Sequence, residues 1–407
     1  MDWIDSRHAW MVERVQAWSR INSGSYHLEG LARMCRALQG QFSVLDADMQ
    51  LLDCDPITQI DAAGEEETVA LGQALHLVKR PQAAVKVFLG GHMDTVFGKD
   101  HPFQTPRRLD ANRLNGPGVA DLKGGLVVML TALQAFERSP LASRLGWEVL
   151  INPDEEIGSP GSARLLEACA RRNHLGLLYE PALADGTLAG ARKGSGHFSV
   201  VVRGRAAHAG REFEQGRNAI VALADYTRAL YALNGRRAGV TINPGRVEGG
   251  GALNMVPDLA ILRFNVRIGT PADRQWLEAR LDRLDRRFGR RDGIRIERRG
   301  AFGRPPKIIS AANQRLFAVV ADCGRMLDIP IAWQATGGVC DGNNLAAAGL
   351  PNVDTMGVRG AEIHSEREYV ILDSLTERAR LSALVLMRLA AGEVRIDADI
   401  DDTTGNN

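Results

Sequence analysis

Ala84-Val85-Lys86-Val87-Phe88-Leu89 runs through Gly90-Gly91 directly into His92-Met93-Asp94-Thr95. The run is short, apolar and rich in β-branched residues, so it reads as a buried strand, and it ends on a histidine and an aspartate. The same pattern recurs downstream. Trp147, Val149 and Ile151 mark a strand that stops at Pro153-Asp154-Glu155-Glu156-Ile157-Gly158, and Leu175 to Tyr179 marks another that runs into Glu180-Pro181. Between them, Leu122, Leu126, Met129, Leu130 and Leu133 recur at helical spacing, so 122–136 reads as a helix, as does Gly161 to Arg171. Alternating strands and helices predict an α/β fold with a mostly parallel sheet covered by helices, whose sites lie beyond the carboxyl ends of the strands. The polar clusters sit at those ends.

The pattern changes near Gly190. Phe198, Val200 and Val202 alternate as a strand, and a helix is expected from about Glu214 to Leu233. Strands at 239–247 and 258–268 follow, then a helix opening at Pro271, a favoured first-turn residue, and a strand near Ile294 to Glu297. That order, β-α-β-β-α-β, is the ferredoxin-like arrangement. After Pro305-Pro306 the α/β character returns, ending in a helix from about Asp373 to Ala391. The expected organisation is a catalytic domain in two parts, 1–189 and 303–396, with an inserted α+β domain at 190–302. An acidic, polar tail at 397–407 is expected to be disordered.

A chain of 407 residues is too long for one ordinary compact domain, which agrees with that division. Its 50 basic and 49 acidic residues nearly cancel, which argues against nucleic acid or an anionic membrane as the principal partner. The arginines between Arg283 and Arg299 alternate with apolar and acidic residues, as on a solvated helix face. Cys35, Cys54, Cys169, Cys323 and Cys340 are scattered and form no Cys-x-x-Cys pair, which argues against a disulfide framework or a thiolate zinc site. Acids at Asp2 and Asp5 occupy the place of a signal peptide's basic start, and no apolar run is long enough to span a bilayer. The expected location is cytoplasmic.

His92, Asp121, Glu155, Glu156, Glu180 and His364 together offer nitrogen and oxygen donors of the kind a pair of zinc ions accepts. Residues two apart on an extended segment point the same way, so Asp94 can orient the His92 ring. A core histidine at a strand end fits that tripeptide equally well. Asp121 follows Gly116-Pro117-Gly118-Val119-Ala120, and an ordinary helix cap competes with a bridging carboxylate there. Adjacent Glu155 and Glu156 repel one another; at a buried strand end they call for a cation, with one as ligand and the other free as a general base toward water. Glu180 and His364 complete the donor set, although a loop histidine is commonplace.

From Val12 to Ala391 the chain resembles the zinc metallopeptidase family of glutamate carboxypeptidase, acetylornithine deacetylase and succinyl-diaminopimelate desuccinylase. Gly91 to Thr95 is similar to its first metal motif, and Gly116 to Gly125 resembles the segment with its bridging aspartate. The resemblance implies two zinc ions per subunit, with cobalt or manganese as substitutes, held by His92, Asp121, Glu156, Glu180 and His364. It implies Glu155 as general base and Asp94 as orienting partner. Tyr179-Glu180-Pro181 is like the glutamate carboxypeptidase branch. In the insert, Gly204-Arg205-Ala206-Ala207-His208-Ala209-Gly210 resembles a lid motif whose histidine reaches the partner subunit's active site. Asn254 and Arg267 match lid residues that contact the substrate's carboxylate. The insert is then a lid/dimerisation domain of a homodimer. Thr336 to Gly342 follows the family's glycine-rich loop only loosely, with Cys340 at a position usually small or hydroxylated; no histidine base lies near it in sequence.

The expected activity is a carboxypeptidase-like dinuclear zinc hydrolase that cleaves a peptide or N-acyl amide bond beside a free carboxylate. An N-acyl-amino-acid deacylase uses the same machinery and reads the other side of the amide. A metal-free amino-acid or peptide binding protein is the non-enzymatic alternative, and it would be favoured by loss of any of His92, Asp121, Glu155, Glu156 or His364. All are present.

Overall fold

The computed structural model describes residues 1–393; the tail expected at 397–407, with 394–396, lies outside them. Helices α1 (His8–Ser19) and α2 (Leu28–Phe42) come first, then strands β1 (Asp48–Asp53) and β2 (Gln73–Lys79), a stretch that apolar periodicity left unassigned. The strand expected before His92 follows as β3 (Val85–His92), with α3 (Lys123–Glu137), β4 (Leu145–Asn152), α4 (Ala163–Arg172) and β5 (Leu175–Leu178) after it. Helix α3 is buried on nearly all sides, which is why its sequence carries no polar face. A Cβ on Gly125 would fall 2.0 Å from the Tyr179 carbonyl oxygen, so the first turn of α3 lies against the end of β5 only because that residue is glycine.

The smaller unit is built mainly from β6 (Gly194–Arg203), α5 (Ala219–Tyr231), β7 (Thr241–Gly249), β8 (Leu259–Ile268), α6 (Pro271–Phe288) and β9 (Arg295–Arg304). Their strands form a separate antiparallel sheet in the order β7-β8-β6-β9, with Phe198, Val200, Leu262 and Phe264 packed beneath Leu223, Tyr226, Leu277 and Leu281. Helix α5 starts at Ala219 and not near Glu214, because the Asn218 side chain accepts from Val221 N at 3.1 Å and caps it there. Phe213–Gln215 forms a separate 3-10 turn. Strand β9 is longer than its apolar residues suggested, since polar and basic residues carry it on to Arg304 along β6.

The chain then returns through α7 (Ala311–Met326), α8 (Asp341–Ala347), β10 (Asn352–Val353) and α9 (Ser374–Ala391). The main sheet has the order β1-β2-β4-β3-β5-β10. Its β4, β3, β5 and β10 are mutually parallel, while β2 runs antiparallel to both β4 and β1, so the sheet is mixed at one edge. Both faces are covered: α1, α2, α3 and α9 pack on one side, and α4 and α8 on the other. His92 pairs with Asn152, and Gly90 with Leu178, so β3, β4 and β5 release their following loops at the same edge. Among the described residues no helix is long and apolar enough to cross a membrane.

The two chain segments joining the sheets are pinned together. Arg192 and Lys307 exchange backbone hydrogen bonds at 3.1 and 3.0 Å. The Arg192 guanidinium donates to both oxygens of Asp354, at 2.8 and 2.9 Å, and the Lys307 ammonium donates to one of them at 2.7 Å. Asp354 and Lys307 are fully buried. Replacing Asp354 by Ala leaves two buried cations without their anion, and breaking such a pair costs about 3–5 kcal/mol. Urea unfolding of Asp354→Ala should show a loss of that size; a loss under about 1 kcal/mol would mean that this clasp does not hold the crossing.

Candidate metal centre

Three strand ends and two loops build the site. The segment after β3 stays extended and zips against residues 23–25, with Thr95 N donating to Ser23 O at 3.0 Å. Asp94 is completely buried and acts as a hub. Its carboxylate lies 3.2 Å from His92 Nδ1, and it accepts from Ser25 Oγ at 2.7 Å and from the backbone N–H groups of Glu155 and Glu156 at 3.1 Å each. One side chain therefore orients the imidazole and the acidic turn after β4 together.

Asp121 closes the glycine turn before α3; Gly118 takes φ +71°, a conformation that favours glycine. Its Oδ1 lies 3.1 Å from His92 Nε2 and its Oδ2 lies 3.2 Å from His364 Nε2. The same His364 nitrogen is 3.0 Å from Glu156 Oε2, and His92 Nε2 is 3.9 Å from Glu180 Oε2. The donors thus fall into two groups that share Asp121: His92, Asp121 and Glu180, then Asp121, Glu156 and His364, each with ligand atoms within 4.8 Å of one another. Glu155 belongs to neither. Its Oε1 forms an ion pair with Arg304 at 2.8 Å, and its Oε2 stands 4.0 Å from His92 Nε2.

The electrostatics show a site short of positive charge. Burial opposes charge on His92, yet its hydrogen bonds to the acceptors Asp121, Asp94 and Glu180 outweigh it and hold the imidazole well above its ordinary range. Asp121 and Glu156 push His364 up to about 11. Burial, then the charge of Asp121, pushes Glu156 up to about 7, and burial raises Glu155 and Glu180 as well. Carboxylates that resist ionisation beside imidazoles that retain protons are groups a divalent cation would relieve on both sides. Imidazole and carboxylate donors without thiolate suit zinc and similar divalent ions, so the residues fit such a metal.

The structure does not bring every expected residue to this cluster. His208 and Asn254 are exposed on the smaller sheet's loops, where Ala209 N donates to Asn254 O at 2.9 Å and the His208 ring accepts from Gly210 N at 3.1 Å. Arg267, on β8, does face this way: it feels the charges of Arg304 and Glu155, and among the described residues its buried Nη1 has no hydrogen-bond partner. Two further residues went unnoticed in the sequence. Arg304, just before Pro305-Pro306, ties Glu155 to Ser159 Oγ at 2.8 Å and to Asp341 at 3.0 Å. Glu368, four residues beyond His364, accepts backbone hydrogen bonds from Gly118, Ala120 and Asp121. Neither residue carries a local signal beyond its nearness to a noticed motif. A cleft of about 650 Å³ opens beside Glu156, lined by Tyr26, His27, Lys99 and His101 among others.

A mostly parallel sheet with hard donors gathered at its carboxyl edge is the frame of a metal-dependent hydrolase. The chain belongs to peptidase family M20/M25/M40, whose model matches residues 88–388. It is 27% identical over 391 residues to carboxypeptidase G2 of Pseudomonas sp. (strain RS-16), a match covering 94% of this chain and 90% of that protein. It is 26% identical over 345 residues to the succinyl-diaminopimelate desuccinylase of Nitrosospira multiformis, covering 79% and 88%. A solved M20 family metallo-carboxypeptidase from Sulfolobus solfataricus shares the fold, with a TM-score of 0.74 at 14% identity over 94% of this chain and 99% of that one. The protein is therefore a metal-dependent hydrolase acting on peptide or other amide bonds.

Cys340 is not an alternative nucleophile. It is only 2% exposed, it caps α8 by accepting from Gly342 N at 3.3 Å, and burial holds its thiol well above the usual range. A thiol reagent applied to the native protein should leave Cys340 unmodified, and mass spectrometry after unfolding in urea should find it reactive. Rapid native labelling of Cys340 would contradict this burial.

Proposed function

We propose that this chain is a dinuclear zinc hydrolase that cleaves an amide bond beside a free carboxylate, in the manner of a carboxypeptidase. The observation that carries the reading is the position of Asp121, with one oxygen toward His92 and the other toward His364. His92 and Glu180 would complete one ion's protein ligands, and Glu156 and His364 the other's. Two ions so held would polarise the scissile carbonyl and acidify the attacking water.

Glu155 is the general base. Arg304 restrains one of its oxygens, and the other faces the cluster, free to take the water's proton and return it to the leaving amine. Arg267 receives the substrate's carboxylate, its Nη1 having no hydrogen-bond partner among the described residues. His208 and Asn254 act from a second copy of the chain. Phe213, Ile220, Val221, Leu253 and Met255 are exposed on the same unit and supply an apolar surface for that pairing. In this role the four-stranded unit at 190–302 is the lid and dimerisation domain, and His208 donates to the oxyanion of the tetrahedral intermediate. The similarity to a desuccinylase supports a second reading, an N-acyl-amino-acid deacylase working with the same residues. We place the enzyme in the cytoplasm.

The test pairs two neighbouring substitutions. Glu155→Gln keeps the side chain's size but removes the base, which should lower turnover by about two to four orders of magnitude while both ions remain bound. Glu156→Gln should lose one ion. Metal analysis beside kinetics on a panel of dipeptides and N-acyl amino acids reads both effects. Full activity of a preparation freed of metal by chelation would overturn the reading; metal loss in Glu155→Gln but not in Glu156→Gln would exchange the two roles.

A further inference from the structure

We propose that Glu368 is a positioning residue for the paired metal site: its carboxylate sets the Gly118–Asp121 turn so that Asp121 can offer one oxygen to each half. The inference rests on the two-ion reading above. Glu368 is fully buried. Its Oε2 accepts from Gly118 N at 3.1 Å, while Oε1 accepts from Ala120 N at 2.9 Å and from Asp121 N at 3.1 Å. Its backbone holds the approach to the same turn. The Glu368 carbonyl oxygen accepts from Asn115 Nδ2 at 2.7 Å and from Gly116 N at 3.4 Å, and Tyr369 pairs with Asn115 in an antiparallel ladder. Because His364 lies in the same short segment, one stretch of chain both carries a donor and fixes the backbone of the donor it must meet, 3.2 Å away.

The chemistry of the side chain is what makes this more than packing. Burying a carboxyl group is costly unless its oxygens find donors. The nearby buried Lys123 donates to Ile21 O at 2.8 Å. The two oxygens of Glu368 instead accept from three main-chain N–H groups, all of which need acceptors. A glutamine would offer one acceptor oxygen and set its own N–H group against at least one of those donors. The turn would shift, and with it the oxygens of Asp121. Partners that orient a metal ligand typically contribute about 10–100-fold in metal affinity.

Zinc titration of the metal-free wild type and of Glu368→Gln by calorimetry tests this, alongside melting of both metal-free proteins. The wild type should take up two ions. The variant should bind them about 10–100-fold more weakly, with kcat falling and KM little changed, a loss larger than any accompanying loss of metal-free stability. Cobalt substitution adds a spectroscopic readout, since altered ligand placement should change the visible bands. If Glu368→Gln does not fold, Glu368→Asp decides, because it keeps the charge but withdraws it by one methylene. Weakening by at least about tenfold upholds the proposal, and wild-type affinity overturns it. Equal affinities for wild type and Glu368→Gln, or a loss of affinity matched by a loss of metal-free stability, also overturn it. A wild type that takes up one ion or none would sink the two-ion reading and this inference with it; two ions in both proteins at equal affinity would remove this inference alone.

Discussion

Asp121 stands between two imidazoles, with one oxygen 3.1 Å from His92 and the other 3.2 Å from His364, and much of the larger unit serves to hold it there. The first histidine sits at the end of a central strand and is oriented by Asp94, which also fastens the backbone of the Glu155-Glu156 turn. The second arrives on a loop from the far end of the chain. Helix α3 begins two residues after Asp121 and is buried against the sheet, so the carboxylate stands beside a closely packed element. Precise placement of a ligand group needs such support, because a side chain on a loose loop spreads over many rotamers.

The arrangement concentrates negative charge where water is scarce. Asp121, Glu155 and Glu180 are buried, and Glu156 is nearly so on its side chain. Main-chain N–H groups, two imidazoles and one arginine offset part of that charge. Burial raises Glu155 and Glu156, whereas the hydrogen bonds of His364 and His92 overcome burial at Asp121 and hold it below its ordinary range. Acids and imidazoles of shifted ionisation gathered in one buried cluster are a functional signature. Where the chain crosses between the two sheets the buried charges are closed, since Arg192, Lys307 and Asp354 satisfy one another.

The smaller unit contributes to the site in two distinct ways. Arg304, at the end of β9, reaches the acidic turn of its own chain and pairs with Glu155. Arg267, on β8, lies close enough to feel both charges. His208 and Asn254 sit on exposed loops of the same unit and form no hydrogen bond or ion pair with the cluster. The division follows from topology: β8 and β9 both end toward the crossing segments, whereas the short ladder of Ala207–His208 with Met255–Val256 lies outside the four-stranded sheet.

Local chemistry was legible in the sequence. Apolar runs stopping at His92, at Glu155-Glu156 and at Glu180 marked parallel strands and the edge where donors collect, because strand burial and loop polarity are encoded residue by residue. The β-α-β-β-α-β order of the second unit was readable for the same reason. The antiparallel strands at 48–53 and 73–79 escaped notice because they mix polar and apolar residues, the first of them at the sheet edge. The start of α5 was misplaced because a cap at Asn218, and not apolar periodicity, decides it. Glu368 carries no local sign that it binds a turn 247 residues away, and Arg304 none of reaching Glu155. Composition and spacing settle which groups are available and which strand ends present them. Which carboxylate faces which imidazole, and which acid holds another's backbone, depends on register and packing between distant segments, and only the folded chain decides that.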